Sequence, residues 1–406
     1  MTLDLPGLTG GALEPEGRLG RGRPAGHGRR LICDRVWPAG SGARVARATA
    51  GPPAPGSTWA LLATRGAWPG SVRRLLGQGR ARQLAGGDVV AWRLEHDPVL
   101  AGVDDPLDEA ARGPGRAGGA RGAIVAYKPL RRVVVHFAAR QGGGRFVKHV
   151  RPGHARALAD RHSLVARWAR TAADLSVPDL VGYGSAPDFL VWRGVPGVTL
   201  EAALRGSDPG GTIAAAARCV ASLHLCPSAL PRQRSRAAEL DATASWISIA
   251  PPGLFGGDLL HSTLADLAAL GGRIPTARPV LSHGDLHDGQ LLFSGHTTWL
   301  LDVDTLTLAE PELDLGNLLA HLDLLRLRRP ELAPLRLDER LVEAYARSRG
   351  RRPDAGRLAW YRALAALRLS CVHAPRPRTR RHASALAAWS RRLTPEFRAN
   401  REELAS

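Results

Sequence analysis

Lysine is almost missing from this sequence: of 56 basic residues, only Lys128 and Lys148 are not arginine. So strong a bias reads as compositional drift. The two positions that keep a compact ammonium instead of a planar guanidinium fork therefore stand out as candidates for chemistry. Cysteine is scarce as well. Cys33, Cys219, Cys226 and Cys371 are scattered and form no CxxC, which argues against a zinc site and fits reduced thiols in a cytoplasm. No apolar run reaches the roughly 18 residues of a membrane span, so no membrane association is expected. Residues 1–26 lack the apolar core of a signal peptide and read as a flexible tail. Aromatics make up 5% of the chain, too few for a base-stacking surface, and no helix-turn-helix or zinc finger stands out. The formal charge of +19 is spread along the chain. It reads as a solvated surface that steers small anions, with no nucleic-acid partner.

At 406 residues, with 44% hydrophobic, the chain can bury two or three cores. Between 27 and 120 it is mixed, with the short apolar runs STWALLA and DVVAWRL set among Gly and Pro. A small-residue linker, ARGPGRAGGARG, follows at 111–122. AIVAY (123–127), RVVVHFAA (132–139) and RFVKHV (145–150) then predict an antiparallel meander, joined by the turn sequences KPLR and RQGGG. Residues 152–175 have helical spacing, and 179–185 and 188–194 read as two more strands. Past residue 197 the pattern is mostly helical. A small antiparallel sheet followed by a helical half predicts an α+β molecule of two lobes with a cleft between them.

The chemistry concentrates in LSHGDLHDGQLLF (281–293) and TWLLDVDTLTL (298–308). Both bring ligand-type side chains onto loops bounded by apolar strands. Phosphoryl transfer from ATP needs a carboxylate to orient and deprotonate the attacking hydroxyl, oxygen ligands for Mg²⁺, and a lysine on a small sheet for the phosphates. Asp285, Gln290, Asp302 and Lys148 supply these parts in the chain order that kinases use. Neither lysine fits GxxxxGK[ST], because Pro129 follows Lys128 and His149 follows Lys148, so a P-loop is excluded.

HGDxxxxQ followed by LLDVD, with PELDLGNLLAHL after it, resembles the aminoglycoside phosphotransferase and choline kinase-like family of small-molecule kinases. The resemblance implies a protein-kinase-like fold, with a small antiparallel β lobe and a larger helical lobe. It also implies ATP and Mg²⁺ as cofactors and a small-molecule acceptor, with no nucleic acid and no membrane. Residue by residue, it makes Asp285 the catalytic aspartate and Gln290 and Asp302 the metal ligands. Lys148 becomes the ATP lysine, and His283 and Asp314 support the loop. YKPLRR (127–132), with Lys128, lies where the family puts its nucleotide-covering loop. VWRGVPG (191–197), with Trp192 and Gly194, looks like its adenine hinge. Two departures stand out. Gln290 replaces the usual Asn, and no glutamate lies between Lys148 and Glu201, which leaves Asp160 as the expected partner of Lys148. Asp304 reads equally as a second metal-side carboxylate or a helix-start cap.

The expected divisions are a tail (1–26), an extension capping the small lobe (27–120), a small lobe with sheet and hinge (121–196) and a helical lobe with catalytic loop and acceptor site (197–406). The residues point to a cytoplasmic kinase that phosphorylates a hydroxyl of a sugar, polyol or related metabolite. Two other readings stand beside it. One is a metal-dependent hydrolase built on the His/Asp cluster, and the other is an inactive pseudokinase.

Overall fold

The computed structural model describes residues 32–39, 43–49, 58–64, 68–83, 89–100, 122–139, 143–227 and 230–393, apart from 231–232, 252, 257 and 377–378. The tail and all but the last residue of the 111–122 linker lie outside the described residues.

The mixed N-terminal stretch forms a sheet that its sequence did not predict. Strands β1 (Ile32–Pro38), β2 (Arg44–Thr49), β3 (Thr58–Ala63), β4 (Ala81–Gln83) and β5 (Val89–Arg93) are all antiparallel, in the order β1-β2-β3-β5-β4. Helix α1 (Gly70–Gly77) joins β3 to β4 and buries Val72 and Leu75. β3 and β5 are apolar without alternation because both of their faces are covered.

The second sheet contains the expected meander. β6 (Gly122–Lys128), β7 (Arg132–Phe137), β8 (Arg145–Val150), β9 (Leu180–Ser185) and β10 (Asp188–Arg193) pair in the order β6-β7-β8-β10-β9. Helix α2 (Ala155–Ala169) leaves from β8, and Asp188 Oδ1 accepts the backbone N–H groups of His154 and Ala155 at its start. β8 is the central strand. Its register sets Lys148 between Val134 and Leu190.

β11 (Val198–Thr199) and α3 (Leu200–Ala203) open the helical part, which continues with α4 (Pro209–Leu225), α5 (Arg236–Ile247) and α6 (Leu259–Gly271). Two short antiparallel pairs follow: β12 (Val280–Ser282) with β15 (Thr307–Ala309), and between them the hairpin of β13 (Leu291–Ser294) with β14 (Thr297–Leu300). Then come α7 (Glu312–Arg328), α8 (Leu337–Arg349), α9 (Ala355–His373) and a helix over 383–393. α7 is buried on every side from Glu312 to Ala320, so it carries leucines all round and no amphipathic stripe. Among the described residues no helix is long and apolar enough to cross a membrane.

The first sheet touches both halves. One face packs Val45, Leu62, Val90 and Trp92 against Ile124, Tyr127, Val133 and Val135 of the second sheet. The other packs Val36, Ala46, Leu61 and Ala91 against Trp246 and Ile249 of the helical part.

Candidate active site

β12 and β15 carry the loop that begins at His283, and the β13–β14 pair receives its end. The loop is fixed from beneath by Asp314, on the buried first turn of α7. Its Oδ2 accepts the N–H of His283 at 2.6 Å, and its Oδ1 accepts the N–H of Gly284 at 2.8 Å. His224 Nε2 lies 3.2 Å from Oδ2. Burial alone would raise the Asp314 pKa, but the His224 contact, the nearby His283 and the Gly284 N–H outweigh it and hold the carboxyl below its usual range. Gly284 has φ +79°, and a Cβ there would lie 2.7 Å from the Thr305 carbonyl oxygen, so the turn requires glycine. The N–H of Asp285 donates to His283 Nδ1 at 3.3 Å. The His283 proton therefore sits on Nε2, which donates to the Leu301 carbonyl at 2.8 Å. These bonds leave Asp285 exposed at the head of the loop.

Lys148, on β8, is only 4% exposed. Its ammonium is 2.6 Å from Asp302 Oδ1 and 2.6 Å from Asp304 Oδ2, and 5.6 Å from the Trp192 ring. Arg132, the first residue of β7, adds a second cation at 3.1 Å from Asp302 and 3.4 Å from Asp304. Burial pushes the Asp302 carboxyl up, but Lys148 and then Arg132 overcome that and hold it well below the carboxylate range. Asp302 adopts the left-handed conformation, φ +52°, in the turn out of β14.

The expected pairing of Lys148 with Asp160 does not occur. α2 buries Ala155, Ala159, His162 and Val165, which turns Asp160 to solvent. Asp304 takes its place beside Lys148. α2 instead contributes Arg161, which donates to the Asp304 carbonyl at 2.7 Å. It also contributes the buried His162, whose Nδ1 accepts from Trp192 Nε1 at 3.3 Å. Burial lowers the pKa of His162 and favours the neutral ring that this contact needs.

A cleft of about 420 Å³ lies beside Lys148, Arg132, His162 and Asp302. Its lining combines apolar Val134, Phe146, Leu292 and Leu300 with polar Lys148, Arg132, Gln290 and Asp302. Trp192 and Val195 border it at the strand crossing between the lobes. There Gly194 donates its N–H to the Gly144 carbonyl at 2.9 Å, and a Cβ on Gly194 would clash with the Gly143 carbonyl. Glycine lets the two backbones touch, and that N–H is already engaged. Lys128 stands apart from Lys148, in the β6–β7 turn, with its ammonium 5.7 Å from the Trp37 ring. Its pKa falls to about 8, chiefly through burial and then through Arg131 and Arg132, while Asp285 and Asp302 pull the other way.

Gln290 closes the loop. His287 Nδ1 accepts the N–H of Gly289 at 3.0 Å, so its Nε2 must carry the proton. The Gln290 amide atom 3.1 Å from that nitrogen is then the oxygen by chemistry, whichever way the amide is drawn. One lone pair of this oxygen stays free. His287, Asp288 and His321 also bring possible ligand atoms within 4.8 Å of one another. The two rings stack at 5.1 Å and 25°, which keeps their in-plane lone pairs from converging, and His287 Nδ1 is already engaged. The cluster is a hydrogen-bonded support rather than an open cage.

Sequence reasoning passed over Arg132, Arg161 and His162. Arg132 was within reach, because it ends the turn that also carries Lys128 and pairs with it across the hairpin. His162 and Asp160 were separable by helical phase alone.

The family model described as "Phosphotransferase enzyme family" matches residues 131–361. No curated protein sequence matches the chain. The structure is similar to that of the amicoumacin kinase hAmiN in complex with AMP-PNP, Ca²⁺ and Ami. The TM-score is 0.51 and the identity 14%, over 73% of this chain and 94% of that one. It is also similar to a choline/ethanolamine kinase family protein from Mesorhizobium loti, with TM-score 0.49 and 19% identity, over 71% of this chain and 95% of that one. For an aminoglycoside phosphotransferase from Streptomyces rimosus the figures are 0.44 and 20%, over 63% and 93%.

Proposed function

Because the chain belongs to the phosphotransferase enzyme family, we propose that it transfers the γ-phosphoryl group of ATP, with Mg²⁺, to a hydroxyl of a small neutral or anionic acceptor such as a sugar or polyol. One arrangement carries the reading. The buried Lys148 ammonium is held 2.6 Å from Asp302 and from Asp304 at the cleft, and Asp285 is exposed at the head of the loop that ends in the cleft-lining Gln290.

The donors suit Mg²⁺. Two carboxylates and an amide oxygen are hard ligands, and the two cations now seated on Asp302 mark a place built for positive charge. Asp302 and Gln290 would hold the ion, with Asp304 beside them, and Mg²⁺ would neutralise charge on the β- and γ-phosphates. Asp285 orients the acceptor hydroxyl and takes its proton. Lys148 receives the α- and β-phosphates, while Lys128 and Arg132 approach from the covering turn. The apolar part of the lining accepts adenine, with Trp192 and Gly194 shaping the hinge. The longer Gln290 stem is tolerated because His287 anchors it. With 56 basic residues against 37 acidic ones, the chain is poorly suited to a polycationic acceptor.

The test is incubation with γ-labelled ATP and Mg²⁺ over a panel of sugars, polyols, amino alcohols and aminoglycosides. Label on a sugar or polyol is the expected result. Nucleotide binding without turnover on any acceptor would leave a pseudokinase, and phosphoester hydrolysis without ATP would leave a hydrolase.

A further inference from the structure

The 128–131 turn, which leads into the cleft-lining Arg132, is held in part by the N-terminal sheet. Lys128 to Arg131 form a tight turn, closed by the Arg131 N–H on the Lys128 carbonyl at 3.1 Å. Within it Leu130 sits at φ +61°, a conformation that a leucine adopts only when its surroundings impose it. The surroundings come from the first sheet. Asp97, just beyond β5 and buried, accepts the Leu130 N–H at 2.9 Å and the Tyr127 hydroxyl at 2.8 Å on the same oxygen. Its other oxygen accepts the Val99 N–H at 3.0 Å, so the carboxylate is itself fixed. Leu130 packs into the apolar layer between the two sheets, beside Trp37, Trp68 and Phe137. Trp37, on the edge strand β1, places its ring 5.7 Å from the Lys128 ammonium. A tight turn is thus gripped on both sides of its tip. Trp37 and Asp97 both precede the matched region, which begins at residue 131.

We infer that Trp37 and Asp97 are positioning residues for phosphoryl transfer: from the N-terminal sheet they lock the 128–131 turn so that Lys128 is already aimed at the terminal phosphate beside Asp285. The inference rests on the phosphotransferase reading above. It gives the N-terminal sheet a task beyond covering apolar surface. A covering loop ordinarily closes when nucleotide arrives and gives up part of the binding energy to ordering. Here the order is supplied in advance by a hydrogen-bonded carboxylate and an aromatic ring. Lys128 pairs across the hairpin with Arg132, whose guanidinium lies 3.1 Å from Asp302, so the turn sits next to the charged groups of the cleft.

This placement has a readout that simple stabilisation of the fold does not. Lys128 should contact only the phosphate that ATP has and ADP lacks. Binding of Mg·AMP-PNP and of Mg·ADP is measured by calorimetry on the full chain, for the parent and for Trp37→Leu, Asp97→Asn, Lys128→Met and the Trp37→Leu/Lys128→Met double variant. Each single change should weaken AMP-PNP about tenfold or more while ADP moves less than about twofold. The double variant should be no worse than Lys128→Met alone, since both changes remove one interaction. Trp37→Phe, which keeps a ring face, should restore most of the loss. Trp37 is only half-buried, so its variants inform even where Asp97→Asn fails to fold. Equal weakening of both nucleotides, no weakening of either, or multiplied losses in the double variant would overturn the inference. A parent that binds neither nucleotide would instead bring down the phosphotransferase reading itself.

Discussion

Replacing Lys148 by methionine keeps the length of the side chain and removes its charge, so the variant isolates what the ammonium does. Each of its two carboxylate contacts is 2.6 Å long. At an effective dielectric near 20, a unit-charge pair at that separation attracts by about 6 kcal/mol, most of which is offset by the water both groups have lost. Removing one partner of a buried pair typically costs about 3–5 kcal/mol, because the other charge stays behind. Here the side chains left behind are 23% and 17% exposed, and Arg132 still sits 3.1 Å from Asp302. The expected loss is therefore at the low end, about 2–4 kcal/mol. Excess Mg²⁺ should recover part of it, since two aspartates that face one arginine bind a divalent ion better than two that face two cations. The assay is urea unfolding at neutral pH, once with EDTA and once with Mg²⁺. A loss below about 1 kcal/mol, with equal Mg²⁺ effects on parent and variant, would show that the aspartates are indifferent to the lysine. Lys148→Arg keeps the charge, but its fork has little room in so closed a seat. It should cost about 1–3 kcal/mol through overpacking and lower turnover at least tenfold.

Asp285→Asn should leave AMP-PNP binding and unfolding unchanged while lowering turnover on the order of 10²–10⁴; full activity would remove Asp285 from the reaction. Gly284→Ala should destabilise by about 1–3 kcal/mol, because φ is +79° and the new Cβ meets the Thr305 carbonyl at 2.7 Å, and an unchanged urea midpoint would refute the turn argument. Burial, aided by His321 and by Arg376 respectively, lowers His287 to about 4 and His373 to about 2, and burial alone lowers His149 to about 4. The folded state thus binds fewer protons than the unfolded chain, so stability is full above the unfolded histidine value near 6.5 and falls as pH drops toward 4. Each histidine adds a slope of up to about 1.4 kcal/mol per pH unit, whereas the Asp302 contribution is lost only below the ordinary carboxylate range. A flat urea midpoint between neutrality and mild acid would refute this.

The loop around Asp285 was legible because its apolar brackets become the short strands β12 and β13, and its ligand-type residues are local to each other. The scarcity of lysine singled out Lys148, but its pairing with Asp302, across 154 positions, had no local signal. Asp160 misled because it was the acid nearest at hand. The α2 sequence already placed it one position past Ala159, out of phase with Ala155, Ala159 and His162. Asp97 had no local signal. Its partners Tyr127 and Leu130 lie 30 and 33 residues away, and only tertiary packing brings the three together. The first sheet was hidden likewise, since its strands are short and its apolar runs are covered by two different neighbours.

That double cover has a mechanical meaning. Two bodies joined by one strand crossing form a hinge, and kinase-like molecules ordinarily open about it. Here a third body is fastened to both: to Val133 and Val135 on one side and to Trp246 and Ile249 on the other, with Arg44 bonded to the Ser248 carbonyl at 3.4 Å. A hinge with a brace across it is a truss, and a truss resists swinging. Under the phosphotransferase reading proposed above, substrate exchange would then rest on local motion of side chains and turns instead of a swing of whole lobes.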